Sequence, residues 1–221
     1  MKFLFQFITL CFALTLFTAC GPEGEEVEAE DAKTVNNTTT PAAATYMVDA
    51  AGSQISWVGS KVTGSHEGTV NITDGKLMVA DGNITGGQFS IDMTSITVTD
   101  LEPGKGKEKL EGHLKTGDFF EVETYPNAEF VITGSTPVTG EEGVTHRITG
   151  NLKMRDITKS VTIPASVAMR GDVLSASTPS FKIDRNEWGI DYTGAEDNLI
   201  NKNIGLTIQL KANKNMVGMV E

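Results

Sequence analysis

Eight or more short antiparallel strands, closed as a barrel or packed as a sandwich, form the all-β domain that this sequence predicts. Three observations carry that expectation. Apolar residues recur at every second position through most of the chain after Tyr46. Turn-forming pairs separate the alternating runs. The composition, with 23 Gly, 10 Phe and abundant Thr, Val and Ile, favours strands and turns over helices.

Ile55 and Trp57 open the alternating series, followed by Phe89, Ile91 and Met93. Ala128, Phe130 and Ile132 repeat it, and Val144, Ile148, Leu152 and Met154 share one parity. Val161, Ile163, Ala165, Val167 and Met169 continue it, and Ile204, Leu206, Ile208, Leu210 and Ala212 close the series. Each is the pattern of a strand with one face buried. Turns are expected at Asp74-Gly75, Asp81-Gly82, Gly86-Gly87, Glu142-Gly143 and Arg170-Gly171-Asp172. Leu101 to Asp118 breaks the pattern with Pro103, four Gly and the charged stretch Lys105 to Glu111, and reads as a loop carrying a short helix. An eight-stranded barrel is just wide enough for one small ligand or a row of side chains. Alternation alone leaves a filled and a hollow barrel equally open.

The front of the chain is built differently. Lys2 is the only charge in the first 22 residues, and Phe3 to Leu16 is almost wholly apolar. That is the layout of a secretory signal, too short for a transmembrane helix. The run ends Leu16-Phe17-Thr18-Ala19-Cys20-Gly21, which resembles the lipobox of bacterial lipoproteins, with Phe17 where Leu is usual. The resemblance implies cleavage before Cys20 and acylation of Cys20, and two or more acyl chains give stable anchoring. Residues 1–19 are thus expected to be a signal peptide, 20–44 a lipidated cysteine and disordered tether, and 45–221 the β domain. Six acids between Glu23 and Asp31, with little apolar content, give the tether its expected disorder. About 25 flexible residues span roughly 28 Å. The acidic run after Cys20 also resembles surface-export signals of some bacterial phyla, although a plain solvated spacer is the favoured reading. Gly21 rather than Asp after the cysteine leans towards the outer membrane over the inner one.

The formal charge of −11, without any Lys/Arg cluster, excludes a nucleic-acid binder. Cys11 and Cys20 are the only cysteines, so the body of the protein has neither a disulfide nor a thiolate metal site. No nucleophile elbow, phosphate loop, zinc-protease helix or dinucleotide fingerprint occurs. His66, His113 and His146 are scattered without ligand spacing. The expectation is therefore no enzyme, no metal and no cofactor. His146 shares parity with Val144 and Ile148, so it is either a satisfied interior histidine or a polar contact to a ligand head group. His66 lies in a turn-rich segment, as a turn cap or at the barrel mouth. Asp184 to Glu187 reads as a charged turn, with Arg185 in a surface or structural ion pair or facing an anionic head group. Phe119 and Phe120 would face opposite ways in a strand. Both are buried only where the segment is irregular or covered on two sides.

Three ordered motifs then resemble the YceI-like family: Gly112 to Val122 continued by Tyr125 to Phe130, Ile148 to Thr162, and Phe181 to Ile190. The match runs over about residues 45 to 213, with Glu111 where Asp is commoner and Ser160 where Pro is common. The resemblance implies an extended, lipocalin-like antiparallel barrel of eight strands, holding a polyisoprenoid or related amphiphile in an apolar pocket. The lining expected is Trp57, Phe89, Phe119, Phe120, Phe130, His146, Ile148, Leu152, Val161 and Phe181. The partners implied are a lipid ligand and a membrane reached through Cys20, in the cell envelope. The oligomeric state stays open, a dimer included. An enzyme acting on such a lipid, or a filled barrel serving as a structural module, are the alternatives.

Overall fold

The structure, a computed structural model, describes residues 21–35 and 43–215. The segment 1–20, with the expected signal peptide and Cys20, lies outside the described residues. Thirteen strands run in chain order: β1 (Glu25–Glu26), β2 (Glu30–Asp31), β3 (Ala44–Val48), β4 (Gln54–Lys61), β5 (Gly64–Ala80), β6 (Asn83–Val98), β7 (Asn127–Pro137), β8 (His146–Met154), β9 (Ile157–Arg170), β10 (Val173–Ser177), β11 (Phe181–Asp184), β12 (Gly194–Ala195) and β13 (Asn198–Lys214). One helix, α1 (Lys107–Leu114), sits in the predicted loop, and 3₁₀ turns cover Ala50–Gly52 and Arg185–Trp188.

The strands close a ring with eight wall positions. β5 through β9 pair as successive antiparallel neighbours. Two positions are each filled by two consecutive strands. β3 and β4 together bridge β5 to β13, β3 at one end and β4 along the rest. β10 and β11 pair with successive stretches of β13, through Ser177↔Gln209 and then Phe181↔Leu206. β10 also pairs with β9, through Ser166 to Arg170, and so closes the barrel. Closure removes the exposed edges that an open sheet would present.

The predicted inward parity is the one observed. Phe89, Ile91 and Met93, Ala128 and Ile132, and Val161, Ile163 and Ala165 are all buried. Asp81-Gly82 makes the two-residue hairpin turn, with φ of 50° and 77°. Asp74-Gly75 and Gly86-Gly87 are not turns; they lie inside β5 and β6, which are single long strands. Gly75 follows a register shift at Ile72/Asp74, and a Cβ there would sit 2.8 Å from Cδ1 of Phe89. The glycine therefore marks a bulge under a neighbour's ring, a second use of glycine in strands. His66 likewise lies in β5, opposite Gly59, and its Nδ1 meets Asp100 at 2.8 Å.

The acidic segment differs most from expectation. Residues 21–35 were expected to be disordered, yet they lie along the barrel wall. β1 pairs in parallel with β11 through Glu25↔Phe181 and Glu26↔Lys182, and β2 pairs antiparallel with β9 through Glu30↔Ser160 and Asp31↔Lys159. Val27 is buried in the core. The cause is invisible in composition: two wall strands offer unpaired backbone to any extended segment that can reach them. Basic side chains on the wall then meet the acids, as Arg147 meets Glu25 at 2.9 Å.

Candidate functional site: a two-chambered apolar barrel

The interior holds two apolar chambers, each of about 140 Å³. The first lies under β10 and the upper part of β13, among Leu77, Ile84, Ile163, Leu174 and Leu210. The second lies towards α1, among Trp57, Met93, Ile96, Leu114 and Ile200. Ile55, Ile91, Leu152, Ile183 and Leu206 line both and form the waist between them. Each comes from the inward parity of a different strand, which is why one waist is assembled from five wall positions. The chambers are lined mainly by aliphatic and aromatic side chains, the surface that a dry apolar cavity needs.

Phe89, Phe130, Ile148, Val161 and Phe181 line the first chamber, Trp57, Phe119 and Phe120 the second, and Leu152 both. Phe89 and Phe130 stack with centroids 6.3 Å apart. Phe130 leans over Gly150, where a Cβ would come within 2.3 Å of its ring, so glycine makes room for the aromatic on the next strand. Phe119 and Phe120 sit in a turn after α1, not in a strand, and that irregularity lets both face the second chamber. Glu121, with φ of 45°, ends the turn.

His146 is not part of either lining. It has the expected parity and opens β8 opposite Ala165, but its Nδ1 pairs with the hydroxyl of Thr145 at 2.8 Å. Burial holds its pKa below the ordinary histidine value.

The closed end below the second chamber is polar and tightly tied. Arg185 was expected in an ion pair; it is instead 2 % exposed, with its guanidinium bound to backbone carbonyls. Nε donates to Asn201 O at 3.2 Å and Nη2 to Tyr192 O at 2.7 Å, while Nη1 donates to Ile190 O. Burial lowers its pKa, with Asp184 and Asp191 opposing the shift. The cation also faces the ring of Phe119 at 5.9 Å. Arg155 ties the β8–β9 hairpin to the same end, reaching Glu121 at 3.0 Å and Gly189 O at 3.2 Å. Asn201 and Asn203 join Arg185 in the second chamber's lining, and Oδ1 of Asn203 is buried without a hydrogen-bond partner.

Above this end, α1 is fastened by Glu111, which accepts from the Val98 amide at 2.8 Å and pairs with Lys107 at 2.8 Å. These contacts, the Lys107 hydrogen bond foremost, hold the Glu111 carboxyl below its usual range. Sequence reasoning had favoured aromatics for the lining and passed over Ile183, Ile91 and Leu206. The signal was present, since Leu206 lies in the clearest alternating run of the chain. Among the described residues, no three His, Cys, Asp or Glu side chains gather as a metal site.

Comparison with known proteins agrees with this architecture. The YceI-like domain profile matches residues 46–212. A UPF0312 protein of Pseudomonas putida (strain GB-1) is 30% identical over 172 residues, covering 74% of this chain and 85% of the relative. Among solved structures, Burkholderia cenocepacia BcnA superposes with a TM-score of 0.61 at 21% identity, covering 75% of this chain and 99% of that one. A polyisoprenoid binding domain from Saccharophagus degradans superposes with a TM-score of 0.56 at 15% identity, covering 77% and 98%. With its ring of eight strands and a profile match spanning the whole barrel, the chain belongs to the YceI-like domain family.

Proposed function

We propose that the barrel shelters the apolar chain of an isoprenoid or related amphiphilic lipid, as a carrier or reservoir in the cell envelope. One observation carries this reading: two apolar chambers meet end to end through a waist of five aliphatic side chains. A solid core has no such void, because protein interiors pack with few gaps larger than a water molecule. An apolar void of roughly 150 Å³ takes a benzene-sized guest, so two in line suit a slender chain better than a compact ring system. Burying such a chain is favoured by roughly 25 cal/mol per Å² of apolar surface removed from water. The likeness to a structure described as polyisoprenoid binding supports the same ligand class. The polar end of the ligand would lie at Asn203, whose Oδ1 is an acceptor without a donor.

Binding rather than catalysis fits the lining, which brings no nucleophile and base together. Attachment through an acylated Cys20, with the outer membrane as its address, completes the proposal. Native mass spectrometry of residues 21–221, purified from the host without detergent, tests the binding. One extracted lipid per chain is the expected mass. A chain that stays empty after incubation with isoprenoid quinones and fatty acids would leave the barrel a structural module. Palmitate labelling that Cys20→Ala abolishes is the expected sign of the anchor.

A further inference from the structure

The barrel wall has one seam that its own strands do not close. β9 pairs with β10 only from Ser166 onward, and β11 pairs with β13 on one side. Between the lower part of β9 and the outer edge of β11 the wall is completed by residues 25–31, β1 on β11 and β2 on β9. Val161 and Ile163 on one side of this seam, and Phe181 and Ile183 on the other, line the first chamber. The seam therefore runs along the cavity's flank, beside the waist. Val27, 6 % exposed, is the strap side chain buried in the core, with Ala29 packed against it, and its amide donates to Lys182 O at 2.8 Å.

The strap is fastened lightly by comparison with the rest of the wall. β5 and β6 are zipped along most of their length, whereas β1 and β2 each contribute a ladder of two residues. Its ion pairs and the Asn203 contact are at the surface, Arg147 to Glu25, Lys202 to Glu26 at 3.8 Å and Asn203 Nδ2 to Glu26 at 3.0 Å, and beyond residue 31 the buried Asn151 amide clamps Lys33 N and O at 2.9 and 2.7 Å. Exposed pairs of this kind hold little and weaken with salt. Between strap and wall lies a polar groove of about 360 Å³, walled by Arg147, Ser160 and Thr162, and the buried Ser160 hydroxyl has no partner there. Few apolar contacts and hydrated hydrogen bonds mark the segment that opens first in a native protein.

We propose that residues 25–31 are a detachable wall strand, and that the β9–β11 seam they cover is the side door through which an apolar chain reaches the chambers. This rests on the lipid-binding reading, but the two can fail separately. Trp57 lines the second chamber and is one of only two tryptophans, so a brominated fatty acid entering the barrel quenches it. Glu30 and Ser160 are directly paired across β2 and β9, within reach of a disulfide once both are cysteine.

The test uses the full chain with Glu30→Cys and Ser160→Cys, in phosphatidylcholine vesicles, with the brominated fatty acid as probe. The single variant Glu30→Cys, run alongside, reports any pairing with Cys11 or Cys20. Oxidising the pair is expected to slow quenching on the order of tenfold against the same protein reduced, as a locked lid does, with the final amplitude unchanged. Val27→Asp, which unseats the strap, is expected to speed quenching. Equal rates in the locked and reduced forms, with full quenching, overturn the side door and leave lipid binding standing. No quenching in either form overturns both. Hydrogen exchange gives a ligand-free check: the Val27 amide is expected to exchange far faster than the amides of β13, and equal protection would show that the strap does not detach.

Discussion

The indole nitrogen of Trp188 donates to the backbone carbonyl of Leu152 across 2.9 Å, and neither residue is open to solvent. That bond ties the 3₁₀ turn of Arg185–Trp188 to β8 at the waist between the chambers. Trp188→Phe keeps most of the packing and removes the donor, leaving a buried carbonyl one partner short. The expected loss of stability is about 1–2 kcal/mol, read as a lower urea midpoint with an unchanged slope.

Leu152 also belongs to both chambers, so bulk added there acts on the passage between them. Leu152→Trp is expected to block the waist. Ligands that occupy one chamber should retain affinity, while chains long enough to thread both should weaken on the order of tenfold, about 1.4 kcal/mol. A titration across chain lengths checks this, and a uniform loss at every length would instead indicate collapse of the core by overpacking.

Arg185 satisfies the carbonyls of Ile190, Tyr192 and Asn201 at once. Arg185→Met keeps the length of the side chain and leaves these acceptors without a donor, at an expected cost of about 3 kcal/mol or more. Arg185→Lys should recover only part of it, because an ammonium lacks the planar fork that reaches three directions. Thermal unfolding of the pair of variants decides between a hydrogen-bonding clamp and a residue that serves only through its charge.

Acid should weaken the fold in two stages. His146 is held neutral by burial, so its folded pKa lies below the ordinary value of about 6.5. As pH falls through that value the unfolded chain takes up a proton that the folded chain refuses, and stability drops. His146→Asn should flatten this part of the profile. Asp100 and Glu111 titrate lower when folded: for Asp100 burial pulls upward, but the His66 contact and the Glu67 amide outweigh it. Their contribution is full above the ordinary carboxylate range near pH 4 and is lost as pH falls below it towards the folded values. Urea midpoints measured from pH 8 to pH 3, for wild type and His146→Asn, check both stages.

The barrel was legible because a half-buried strand writes a period of two, and Ile204 to Ala212 or Val161 to Val167 can satisfy that period in no other regular element. Inward parity also placed Trp57, Phe89, Phe130, Ile148, Leu152 and Val161 in the chambers, whereas Phe119 and Phe120 reach the second one from a turn. Parity failed for His146, since it gives the face of a strand and not where a polar ring turns, and this ring turns to the Thr145 hydroxyl. Asp74-Gly75 and Gly86-Gly87 misled because glycine serves both a turn and a close approach by a ring such as Phe89. The strap was illegible for a different reason. Its fit depends on backbone pairing and on one valine, and an acidic, apolar-poor composition says nothing about which edges elsewhere in the chain stand unpaired.

One consequence concerns reach. Gly21 rests against Asn201, and Pro22 lies over Gly205 of β13, so the docked strap begins at the barrel's side. Undocking the fifteen residues 21–35 would by itself pay out a leash of roughly 21 Å. On the proposed anchoring through Cys20, undocking the segment that shuts the cavity's flank would also lengthen the tether, so sealing and range would change together.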